Sequence, residues 1–306
     1  MARTKILPVG YTIQLYRQAG GFSMEKLAAD LDLYKSVGIT GIAPHGFVGE
    51  MDIHKFDTYV QLAKPKGLKC YAAFGLAPND PYTKGVWMGK VAQHPDCAGV
   101  LFDMEGAFEI AAGKAAANSI GQGFVAQFPN SVRDVWTCDQ PWSEPTVHWS
   151  LFPYEEIAQF VDARAAQFYF NDNVGPLRYT HFDPVYHHSW DVLNKRLAQT
   201  NSVRPLMMTL QAYAWADILP SYVACLLENP TTFMWCDRGL PTPNSLLGLA
   251  IVKKLADLGY KAVVDFQKAY NLTKPTVKLA EDDSCGYLTA AALLGREITT
   301  AEKTNP

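Results

Sequence analysis

Eight short apolar runs alternate with helical stretches along most of the chain, and this alternation constrains the fold more than any other feature. The runs fall at residues 6–16, 38–46, 68–76, 97–106, 132–138, 165–171, 204–213 and 231–237. Helical spacing occupies 24–34, 53–64, 154–163, 190–199 and 216–227. Ser23 and Asp52 stand where N-caps belong, and Gly38 follows the first helix where a helix stops. Strands that alternate with helices build parallel sheets, and eight such units predict an α/β fold, a (β/α)8 barrel over residues 1–240. A doubly wound open sheet is the structural alternative. No GxGxxG or GxxxxGK[ST] loop follows the first strand, which speaks against nucleotide binding, and no cofactor is expected.

The text changes after residue 237. Arg238 to Asn244 reads as a loop, and three short helical patterns follow at 245–258, 262–270 and 287–294, ending in a polar tail. A small all-α domain is therefore expected over 241–306, with the reading of 245–258 as the last barrel helix as its alternative. The 306 residues suffice for a barrel of roughly 250 residues plus such an appendage.

Charge and composition exclude several partners. A net charge of −3 offers no basic surface for nucleic acid, and no apolar run is long enough to span a membrane. Residues 1–10 carry positive charge but only a broken apolar run, so no signal peptide is read and synthesis in the cytoplasm is expected. The six cysteines (Cys70, Cys97, Cys138, Cys225, Cys236, Cys285) are dispersed without CxxC pairs and read as reduced core residues, not zinc ligands. The pair His187-His188 is likewise not read as a metal site, since adjacent histidines point apart on an extended chain. Oligomeric state has no signature in the sequence.

The chemistry concentrates on the fourth run, Cys97-Ala98-Gly99-Val100-Leu101-Phe102-Asp103-Met104-Glu105-Gly106. Strand side chains alternate, so Val100, Phe102 and Met104 form an apolar outer face, and Leu101, Asp103 and Glu105 point inward. Active sites of parallel barrels lie at the C-terminal ends of the strands, where this pair of acids sits. The same parity places Thr12, Gln14 and Tyr16 inside from strand one, His45 from strand two and Tyr71 from strand three. Strand five ends in Asp139, Gln140 and Trp142, and strand six offers Gln167, Tyr169 and Asn171. Strand seven offers Thr209, Gln211 and Tyr213, and strand eight Trp235 and Asp237. A polar, aromatic lumen suits a sugar, with hydroxyls to satisfy and ring faces to stack.

Glycoside hydrolysis needs an acid for the leaving oxygen and a second group for the charge at the anomeric carbon. Glu105 is the expected acid, with Asp103 raising its pKa or holding its proton. An i, i+2 pair stands too close to flank the bond from both sides, so a third group is required. Asp237, Asp139, or the substrate's own N-acetyl group held by Tyr213 or Tyr169 would serve. Outside this class, a non-catalytic barrel that binds wall polysaccharide, or an amidase, are the alternatives.

Two resemblances sharpen the expectation. The Asp103-x-Glu105 strand resembles those of family 25 muramidases and family 18 chitinase-like enzymes. Ala98 and Leu101 stand where the chitinase type has further acids, and Gln14 where the muramidase type has Asp. Residues 252–293, with Phe266-Gln267-Lys268-Ala269 and the spacing Gly286, Thr289, Ala292, Leu293, resemble the three-helix peptidoglycan-binding module of cell-wall hydrolases. The Asp-Gly-x-Phe-Gly-Pro turn of that module is absent. Together these resemblances imply a phage endolysin or bacterial wall-lytic glycosidase, with bacterial peptidoglycan as substrate.

Overall fold

A computed structural model of the chain describes residues 12–16, 23–47, 52–129, 133–139, 151–168, 194–195, 197–199, 206–211, 219–229, 232–235, 242–273 and 275–303. The strands are β1 (Thr12–Tyr16), β2 (Gly41–Phe47), β3 (Lys69–Gly75), β4 (Cys97–Asp103), β5 (Asp134–Asp139), β6 (Ala163–Phe168), β7 (Leu206–Gln211) and β8 (Thr232–Trp235). They pair in chain order, all parallel, and β8 closes on β1 to form a barrel. Around it lie α1 (Met24–Ser36), α2 (Ile53–Ala63), α3 (Pro81–Ala92), α4 (Gly113–Gln127), α5 (Tyr154–Ala158), α6 (Leu219–Glu228) and α7 (Pro243–Asp257). The expected caps are formed: Ser23 Oγ accepts from Lys26 N at 3.3 Å, and Asp52 Oδ1 from Lys55 N at 2.7 Å.

Two apolar clusters divide the barrel as alternation requires. Val100, Phe102 and Met104 belong to the layer between strands and helices, and Leu101 joins Ile13, Ala43, Tyr71, Ala73, Trp136, Ala163 and Ala165 inside the barrel. Tyr71 and Trp136 pack with their rings tilted by 37° and their centroids 5.1 Å apart, so the lumen is a packed floor rather than a pore.

Strand one reverses its expected face. Ile13 is in the lumen and Tyr16 is outside, its ring edge-on to Tyr34 and Tyr59 and its hydroxyl donating to Asp30 Oδ2 at 2.8 Å. Gln14, two residues before Tyr16, shares this outer side and is fully buried, so it is removed from the sugar-binding set. The parity reading put polar residues inside, but the buried Asp30 carboxyl of α1 accepts the Tyr16 hydroxyl on the outer side.

The helices α3 and α4 have no counterpart among the expected helical stretches. Gly85 and Gly89 on α3, and Gly121 and Gly123 on α4, each lower helix propensity by about 1 kcal/mol relative to Ala. The missing side chains of Gly85 and Gly123 let the backbones meet: a Cβ on Gly85 would lie 2.0 Å from Ile120 O, and one on Gly123 2.2 Å from Tyr82 O. The close contact that demands glycine hides the helix from a propensity reading. The stretch 154–163 is also shorter than expected as a helix: α5 ends at Ala158, and Asp162 N donates to Val135 O at 2.7 Å as the chain turns into β6.

After α7 come α8 (Val263–Leu272), α9 (Tyr287–Leu294) and α10 (Thr300–Lys303). Helix α7 serves two cores. Leu249 packs in the barrel's outer layer, whereas Leu247, Ile251 and Leu255 pack with Val263, Phe266, Ala290 and Leu293. Gln267, buried in α8, donates to Ser284 O at 3.0 Å and to Asp282 Oδ1 at 3.1 Å, pinning the loop before α9. Asn244 ties the end of the chain to α7 through Glu302 O at 2.8 Å. Of the cysteines, Cys70, Cys97, Cys225 and Cys285 are buried, and burial pushes the Cys70, Cys97 and Cys285 thiols up to about 12. Cys138 and Cys236 fall outside the described side chains. No described helix is long and apolar enough to cross a membrane.

Candidate active site

The C-terminal end of β4 is shaped to present two carboxylates at the barrel mouth. Asp103 is the last residue of the strand, and its carbonyl accepts from Leu76 N at 3.0 Å. The chain then leaves the ladder. Met104 and Phe108 are fully buried on the helix side, and Glu105 O accepts from Phe108 N at 2.9 Å to start the 3-10 turn Gly106–Phe108. Two buried anchors three and one residues away therefore fix the backbone of Glu105, which stays extended at φ −118° and ψ −158°. Gly113 completes the arrangement, since a Cβ there would lie 1.9 Å from Phe108 O.

Each acid meets a side chain from another even-numbered strand. His45 Nε2 lies 2.9 Å from Asp103 Oδ2, and the two side chains are only 6% and 16% exposed. Gln167 Nε2 donates to Glu105 Oε1 at 2.6 Å. Strands β2, β4 and β6 thus supply the polar layer, and β3 and β5 supply the Tyr71–Trp136 floor, the alternate-strand layering of such barrels. Asp103 Oδ1 is buried without a hydrogen-bond partner among the described residues. Burial first, and the neighbouring Asp103 charge second, raise the Glu105 carboxyl above the ordinary carboxylate range, against the opposing pull of Gln167 and His45. A carboxyl whose pKa is raised holds its proton to higher pH than an ordinary one, which suits it to donating that proton.

Of the residues expected at the site, Asp103, Glu105, His45 and Tyr71 are inside the barrel and Gln14 is not. Tyr71 contributes as floor, fully buried against Trp136. Asp139, Gln211 and Trp235 lie within β5, β7 and β8, the last two paired in register, but their side chains fall outside the described residues. Trp142, Tyr169, Asn171, Tyr213 and Asp237 also lie outside them, as does the pair His187-His188. Among the described residues no group of three or more His, Cys, Asp or Glu side chains could hold a metal ion. Gln167 has the inward parity expected of it, but its partnership with Glu105 had no signal in the sequence, because the contact spans 62 positions. Trp136 was not anticipated inside; its pairing with Leu101 across the β4–β5 ladder places it there.

No family model matches the chain, and neither does any curated protein. Solved structures do share its fold. Active domain 2 of the thermostable chitinase from Pyrococcus furiosus, in catalytic-site mutants complexed with chito-oligosaccharides, matches at a TM-score of 0.56 and 12% identity, covering 83% of this chain and 97% of that one. The β-galactosidase of Marinomonas ef1 matches at 0.56 and 10% identity, over 81% of this chain and 60% of that one. An octameric ribulose-1,5-bisphosphate carboxylase/oxygenase from Pyrococcus horikoshii OT3 matches at 0.51 and 11%, over 87% and 63%. Proteins of such different chemistry share one scaffold, so the likeness establishes an α/β barrel and leaves function to the site.

Proposed function

We propose that the protein is a glycoside hydrolase that cleaves the glycan strands of bacterial peptidoglycan, as a phage endolysin or wall-lytic enzyme does. The observation that carries this reading is the partly buried Asp103–Glu105 pair at the barrel mouth, with the Glu105 carboxyl raised and hydrogen-bonded. Glu105 protonates the glycosidic oxygen. Asp103, oriented by His45, presents its unpartnered Oδ1 to the N–H of a 2-acetamido group. The acetamido oxygen then attacks the anomeric carbon as the bond to the protonated leaving sugar breaks, and water, giving its proton to Glu105, adds to that carbon and opens the resulting ring. Such substrate assistance requires no second protein carboxylate across the bond. The chitinase likeness supports a glycosidase scaffold. The resemblance of residues 252–293 to a wall-binding module supports peptidoglycan over chitin.

The absence of acids at Ala98, Leu101 and Gln14 favours one second reading, a barrel that binds wall polysaccharide without cleaving it. Mass spectrometry of purified peptidoglycan, incubated with the protein or its Glu105→Gln variant, separates the two. New reducing ends from the unmodified protein alone establish the glycosidase. Freed peptides without new reducing ends replace it with an amidase, and intact glycan carrying bound protein leaves the binding barrel.

A further inference from the structure

Two carboxyls share the barrel mouth, and the groups around them differ in what they can offer. Asp103 is met by an imidazole nitrogen, His45 Nε2 at 2.9 Å. Glu105 is met by an amide nitrogen, Gln167 Nε2 at 2.6 Å on Oε1. An amide N–H2 group donates only, so the oxygen it touches must be an acceptor. In a protonated carboxyl one oxygen is the acceptor and the other carries the hydrogen.

We propose that Gln167 is a positioning residue that occupies Oε1 of Glu105 and so confines the acid's proton to Oε2, the oxygen presented to substrate. This deepens, and rests on, the reading of Glu105 as the general acid. Without the amide, the proton could sit on either oxygen and be directed away from the leaving group. With it, a single protonated arrangement is present before substrate arrives, and no rotation of the carboxyl is needed at the moment of transfer. The same bond has a second effect. A donor to the carboxylate stabilises the charged form, so Gln167 holds the Glu105 pKa below where burial and Asp103 would take it. Among the described residues, Asp103 and His45 are the titratable groups acting on Glu105. The reverse orientation, with the Gln167 carbonyl accepting the Glu105 proton, has the opposite consequence, because it stabilises the neutral form.

The sign of one titration therefore decides the matter without any substrate. Full-length protein carrying 13C-carboxyl glutamate is titrated by NMR, the Glu105 signal being assigned by its loss in Glu105→Gln. In Gln167→Met the Glu105 pKa rises relative to the unmodified protein. A fall, or no change, overturns the proposal. Infrared difference spectra of the unmodified protein across the same titration provide a reading that does not depend on the variant folding. A Glu105 carbonyl band lowered by an N–H donor is expected, and a band at the position of an unbonded carbonyl overturns the proposal. Because neither measurement uses glycan, failure of the peptidoglycan assay and failure of this assignment are told apart. If both readings hold, the alkaline limb of the kcat/KM profile moves to higher pH in Gln167→Met, with kcat reduced more than KM is changed.

Discussion

His45 of β2 reaches over β3 to Asp103 of β4, with Nε2 at 2.9 Å from Oδ2. The β3 residues in register with these two are Ala73 and Gly75, so nothing larger than a methyl group stands between them. A bulky residue at either position would push the imidazole off the carboxylate. The contact is thus a property of three strands.

Removing the imidazole tests what this relationship does. A hydrogen bond to a charged group contributes about 1.5–3 kcal/mol. If Asp103 orients substrate, His45→Phe lowers kcat roughly 10- to 100-fold while leaving the fold intact. Steady-state kinetics alongside circular dichroism would check it. Unchanged kcat in a folded variant removes His45 from the site.

The raised Glu105 carboxyl has a consequence for stability, independent of activity. A group whose folded pKa lies above its unfolded value of about 4.5 contributes stability that is complete below that value and lost as pH rises through the raised one. Glu105→Gln escapes this loss. The Tm of the variant relative to the unmodified protein should therefore increase as pH is raised above the ordinary carboxylate range. A difference that stays constant with pH contradicts the burial of this charge.

Tyr16→Phe tests the reversed face of strand one. The substitution leaves the buried Asp30 carboxyl without the hydroxyl that donates at 2.8 Å, at a cost of about 1–3 kcal/mol. Denaturant unfolding should show that loss with kinetic constants unmoved. The opposite pattern, altered KM at unchanged stability, would return Tyr16 to the lumen.

The contact between α3 and α4 is equally open to test. Ala at Gly85 or Gly123 favours each helix locally, yet its Cβ meets backbone at 2.0 or 2.2 Å. Separating the helices costs about 1–3 kcal/mol or more. Thermal melts of the two variants should shift downward, whereas an upward shift would show that propensity outweighs packing here.

Much of this protein was legible from its chain alone. Alternating apolar runs and helical stretches determined the parallel barrel, and two-residue periodicity determined that Asp103 and Glu105 face inward with His45 and Tyr71, because both are local properties of a strand. Periodicity failed at β1, where Gln14 and Tyr16 are polar yet face outward: the buried Asp30 of α1 sets that choice, and it lies on a different element. It failed again at α3 and α4, whose glycines oppose helix formation until another helix is pressed against them. Only the closed tertiary structure decided that Gln167 meets Glu105 and His45 meets Asp103, because barrel closure and register determine which side chains of non-adjacent strands share one level of the mouth.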